Sequence, residues 1–180
     1  MLTGVIGLAT FAAAYSLYGG LSAVAWTDII QVVVLILGGL VTTYLALDTV
    51  SGGQGFMEGL TTIYHAVPEK FDMILERSNP EFMNLPGIGV FIGGMWVANL
   101  YYWGFNQYII QRGLAAKSVK EAQRGVIFAG FLKILIPLIV VIPGIAAFVL
   151  TKDTGVIDPS DKAYPWLLHN YVPAGIKGLA

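Results

Sequence analysis

The chain of 180 residues has no cysteine. That excludes a disulfide framework, a thiolate metal site and a cysteine nucleophile. Charge is also scarce: 12% of residues are Asp, Glu, Lys or Arg, against about 25% in soluble domains. Ten basic and eleven acidic residues leave a net charge of -1 with no basic tract, so nothing supports nucleic-acid binding. The two histidines, His65 and His169, lie far apart. Metal sites need clustered ligands, so both are predicted to be surface residues and no metal site is expected. Glu69, Asp72 and Glu76 share a mixed-charge stretch with no apolar wall to shift a pKa, which argues against acid–base work. Ser51-Gly52-Gly53 and Gly93-Gly94 lack the lysine and hydroxyl spacing of a phosphate loop. The apolar start has no positive n-region and no small-residue cleavage site, so it does not read as a signal peptide.

What is present is apolar: 56% of the chain is hydrophobic, which with the low charge indicates a polytopic membrane protein. A bilayer core of about 30 Å needs about 20 apolar residues in helix. Four segments are candidates, at approximately 2–18, 26–48, 86–111 and 124–150. Tyr18-Gly19-Gly20 should break the first from the second, because adjacent glycines destabilise helix. Between the second and third, 51–83 carries five of the eleven acidic residues. Phe56, Leu60 and Ile63-Tyr64 there suggest a short amphipathic helix at the membrane surface, ended or kinked by Pro68. Pro86 suits a first helical turn. Pro137 and Pro143 should kink the fourth segment, and neighbouring helices must then satisfy the freed carbonyls. Residues 151–178 read as a loop, with Asp158-Pro159 and Tyr164-Pro165-Trp166. The short connection holding Arg112, Lys117, Lys120, Glu121 and Arg124 is mostly positive and therefore cytoplasmic. Alternation puts 51–83 and 151–178 outside. The chain ends in Gly178-Leu179-Ala180, where another helix could begin, which predicts an internal piece of a longer protein.

Polar residues inside such segments are costly and usually have a partner or a task. Asn99, Trp103, Asn106 and Ile110 share one helical face in the third segment, flanked by Tyr102 and Gln107. They are either a pocket wall, with amides for ligand hydroxyls and Tyr102 for stacking, or glue between helices. Gly104 favours the pocket, since interrupted helices mark transporter binding sites. Lys133 stands alone in the fourth segment. It faces a bundle interior, a water-filled cavity or a carboxylate, or it snorkels to the inner interface. Asp28, beside Trp26 at the cytoplasmic start of the second segment, either complements the helix dipole or relays a cation at the inner mouth.

The stretches 18–31 and 99–112, with Asp161-Lys162-Ala163-Tyr164-Pro165-Trp166, resemble the sodium/solute symporter family, most of all its bacterial sodium/galactose (sodium/glucose-type) branch. The resemblance covers almost the whole chain and about a third of a full member. It implies an all-α membrane fold, part of a five-plus-five inverted-repeat bundle, with substrate and sodium near the midplane beside broken helices. It further implies that Asn99 and Lys133 bind sugar hydroxyls, that Tyr102 stacks on the sugar ring and closes the inner gate, and that Asp28 helps sodium leave inward. The helices supplying most sodium ligands are not in this stretch, so no metal ligands are expected here. The expected function is sodium-coupled sugar symport by alternating access in the cell inner (plasma) membrane. Sodium is the coupling ion, and there is no cofactor and no enzymatic step. The implied partners are the sugar, sodium, the bilayer and the transporter's remaining helices. The alternatives are symport of another solute such as an amino acid or carboxylate, a non-transporting sensor module or truncated remnant, and, with less support, a channel.

Overall fold

The computed structural model describes residues 2–83, 87–152, 155, 157, 160–175 and 177; Pro86 and Asp158-Pro159 lie outside the described residues. Every regular element among them is helical. The first, α1 (Leu2–Val50), has 49 residues. At about 1.5 Å per residue a straight helix of that length would be more than twice as long as a bilayer core is thick. It is not straight. Gly20 has φ 55° and ψ -150°, a conformation open essentially to glycine alone. Gly19 is needed beside it, because a Cβ there would come within 2.3 Å of the Cβ of Ala23. The sequence places a break between 2–18 and 26–48; the structure turns at one residue and is helical again from 21.

After α1 the chain turns through Ser51–Gly55, where Gly52, Gly53 and Gly55 have positive φ. The Asp48 carboxylate accepts the Gly55 N–H at 3.0 Å and closes the turn. Helix α2 (Phe56–Ala66) follows and stops before Pro68, which opens a short tight turn, Pro68–Phe71. The third apolar stretch is helical with two widened turns, Val90–Gly94 and Leu100–Phe105, on either side of α3 (Met95–Asn99). It ends at Asn106, which is extended, and α4 (Gln107–Leu114) begins there. Ser118 caps α5 (Val119–Lys133) by accepting the Glu121 N–H, as the Ser-x-x-Glu pattern favours. A third widened turn, Pro137–Val141, leads into α6 (Ile142–Thr151).

Residues 163–171, read from sequence as loop, form α7 (Ala163–Tyr171). Pro165 falls in its first turn, where an N–H has no intrahelical partner to lose. The buried core lies at the α2 end of the bundle: Ala46, Leu47, Ile63, Val67, Ala146, Ala147 and Leu167, from α1, α2 with its following residue, α6 and α7. So α2 does not lie alone on a surface; Gly59 and Ile63 face α1 and are buried. Among the described residues, two helical stretches are long and apolar enough to cross a membrane, Leu2–Val50 and Val119–Thr151. Their apolar side chains away from the core are largely exposed, the pattern of surfaces meant for lipid or for other helices.

Candidate functional site

Two helix interruptions face each other. One is at Leu100–Phe105 and Asn106; the other follows Lys133, where Ile134 and Leu135 bond three residues back, to Phe131 and Leu132. Lys133 bridges them. Its Nζ lies 4.6 Å from the Trp103 ring centroid and 5.5 Å from that of Tyr102. The two rings meet edge to face at 5.4 Å. Widened turns recur at functional sites because they free carbonyls and re-aim side chains. Here the widened turn aims two consecutive aromatics at one ammonium.

Magnitudes bear on what Lys133 is for. Placing a lysine at mid-membrane costs roughly 2.5–3.5 kcal/mol. A cation over a ring returns about 0.5–2 kcal/mol. Lys133 is exposed, where each ring is worth about 0.5–1 kcal/mol, so the two rings offset only part of the cost. Among the described residues the ammonium donates no hydrogen bond, and all three of its protons remain available to an acceptor.

The amides behave differently from the continuous face read in the sequence. Asn106 is a helix cap: its side-chain oxygen accepts the Tyr108 N–H at 3.0 Å. The break there, with the widened turn before it, destroys the 3.6-residue period on which that face depends. Asn99 donates its amide to the carbonyl of Met95 on its own helix at 2.8 Å and is otherwise exposed. Tyr102, 46% exposed, lies three residues on. The structure thus brings Tyr102 and Lys133 together, adds Trp103, and leaves Asn99 on the adjoining turn.

Asp28 has a partner that its place in the sequence does not name. Arg112 Nη2 donates to Asp28 Oδ2 across 84 positions of chain. Arg112 Nη1 donates to the Tyr108 carbonyl at 2.7 Å, and its guanidinium lies 3.9 Å from the Tyr108 ring centroid. A hydrogen bond, an ion pair and a stacked ring together fix the arginine fork, which a lysine could not reproduce. The signal was present: the sequence places both residues near the positively charged connection that closes the third segment or at the matching end of the second. Two open apolar clefts, of about 800 and 630 Å³, share the Asp28–Arg112 pair in their walls. The smaller one also includes Trp103, so a continuous path of lining residues runs from the ion pair to the aromatic pair. Among the described residues no cluster of His, Asp or Glu could hold a metal ion.

A family model described as the sodium:solute symporter family matches residues 1–180. A sodium/glucose cotransporter of Vibrio parahaemolyticus is 55% identical over 99% of this chain and 35% of its own length. An uncharacterized symporter, YidK, of Escherichia coli K12 is 36% identical over 99% of this chain and 29% of its own length. A sodium/myo-inositol cotransporter 2 of Oryctolagus cuniculus is 34% identical over 97% and 29%, respectively. The chain therefore spans about a third of the length of these relatives. They are transporters by name, not enzymes. The chain is an all-α membrane protein, and it belongs to the sodium:solute symporter family.

Proposed function

We propose that this chain forms part of a sodium-coupled symporter carrying a sugar of the galactose or glucose type by alternating access. The observation that carries the reading is Lys133 held over Tyr102 and Trp103 where two interrupted helices meet. A pyranose has hydroxyls for an ammonium and an amide, and an apolar face for an aromatic ring. Lys133 and Asn99 would bond the hydroxyls and Tyr102 would stack on the ring. Sodium is the coupling ion and the cell inner (plasma) membrane the location; the family's remaining helices would complete both sites. Sodium acts by binding the sugar-competent state more tightly, the sole way a ligand shifts such an equilibrium. The rabbit relative's name extends the ring to a cyclic polyol, so the deciding assay compares galactose, glucose and myo-inositol. Uptake into proteoliposomes holding the full-length protein is measured with and without a sodium gradient. No sodium-dependent uptake of any of the three would end this reading.

Two substitutions probe the polar residues. Asn99→Ala should raise KM for the sugar about fivefold, the value of one neutral hydrogen bond, with expression unchanged. If expression falls and KM does not, the amide serves its own helix through Met95. Asp28→Asn should alter the apparent sodium affinity while the protein still folds, and a double-mutant cycle with Arg112→Gln should be non-additive by about 1 kcal/mol or more. A sodium titration identical to the parent's would leave Asp28 with its ion pair and helix-terminal roles alone.

A further inference from the structure

The carbonyl of Leu138 has lost its helical donor. In the widened turn Pro137–Val141, the Ile142 N–H reaches the Pro137 carbonyl, five residues back. In that register the next carbonyl, Leu138, would receive the N–H of residue 143. Residue 143 is proline and has none. Thr43 on α1 supplies the donor: its Oγ1 lies 2.9 Å from the Leu138 oxygen and 2.8 Å from the Gly39 oxygen on its own helix. A hydroxyl has one proton to give, so these two carbonyls share it. Thr43 is 1% exposed, which keeps water from replacing it. The helices approach this closely because residue 39 is glycine; a Cβ there would stand 2.8 Å from the Cβ of Ile139.

We infer that Thr43 is a positioning residue for Lys133: by holding the Leu138 carbonyl it keeps the Pro137–Val141 turn wide, and the wide turn sets the face on which Lys133 emerges. Without the hydroxyl, the Leu138 carbonyl recovers a donor by taking the Ile142 N–H, which tightens the turn to the ordinary helical register. Removing one residue's worth of widening rotates everything before it by about 100°. Lys133 lies four residues before Pro137; the tight bonds of Ile134 to Phe131 and Leu135 to Leu132, with Ile139 bonded to Leu135, carry the rotation along the chain. Its ammonium would leave the faces of Tyr102 and Trp103. This rests on the proposal that Lys133 meets the substrate.

The test uses the full-length transporter in proteoliposomes. Thr43→Val keeps the shape and removes the donor; it should raise KM for the sugar about fivefold or more with kcat little changed. Thr43→Ser should restore the parental KM. Pro143→Ala returns an N–H to the Leu138 carbonyl, so in that background Thr43→Val should have little further effect. An unchanged KM in Thr43→Val, or an equal loss in both backgrounds, overturns the inference. If Thr43→Val does not fold, the double variant should, and failure of both also overturns it. Lys133→Ala separates the two ideas. If that variant transports normally, the site reading fails by itself, while non-additivity of Thr43→Val and Pro143→Ala in the melting midpoint still reports whether the hydroxyl holds the turn.

Discussion

Lys133→Ala in the full-length protein should abolish sodium-driven sugar uptake and leave the protein at least as stable as before. The two effects have opposite signs for one reason. An ammonium at mid-membrane costs roughly 2.5–3.5 kcal/mol on insertion scales, and alanine removes that cost together with a cation–π contact worth less. Substrate binding loses the donor. A hydrogen bond from a charged group is worth about 1.5–3 kcal/mol, so losing two lowers kcat/KM roughly a hundredfold or more. Uptake and the melting midpoint of the same preparation check both halves. Parental uptake would remove Lys133 from the substrate site, and a collapsed melting midpoint would make it a structural residue that holds Tyr102 and Trp103.

Gly59→Ala should be the most damaging small change in the chain. A Cβ at residue 59 would lie 2.2 Å from the carbonyl oxygen of Leu47 and 2.6 Å from its carbon. The obstacle is backbone, so no side chain can rotate aside and α2 must lift from α1. Overpacking alone costs about 1–3 kcal/mol. Lifting α2 also uncovers Leu47 and Ile63, both 0% exposed, at about 1.5–3 kcal/mol for each side chain fully released. A loss of about 3 kcal/mol or more is expected, read as a lowered melting midpoint. Gly89→Ala is the control: residue 89 has helical φ, and a methyl there would meet nothing within 4 Å. Equal shifts for the two would mean that the α1–α2 contact is not what Gly59 protects.

Much of this was legible in the residues, and what was not has identifiable causes. Gly19-Gly20 marked the break in α1 because glycine's freedom is a local property. Pro68 marked the end of α2 for the same kind of reason. Pro137 and Pro143 announced freed carbonyls, but which residue answered them was invisible: Thr43 lies 95 positions away from Leu138. The Asp28–Arg112 pair was hidden by distance along the chain in the same way. Asn106 misled because a cap and a pocket amide are the same residue until the helix is known to stop. The helix at 163–171 was masked by its own proline and aromatics, which read as loop and became helical by packing Leu167 into the core.

The core at the α2 end has a consequence for the order of assembly. Its members come from residues 46–67 and from 145–167, so α2 is synthesised nearly a hundred positions before the α6 and α7 surfaces that complete its seat. During synthesis α2 can rest on the end of α1 but cannot be enclosed. Contacts of such high sequence separation close slowly, because the entropy of the intervening chain is lost before they form. The helices between would enter the bilayer first, and the seat would close only after them. Protection of the α2 amides from solvent exchange would then be a late event in biogenesis, appearing only after α7 has emerged.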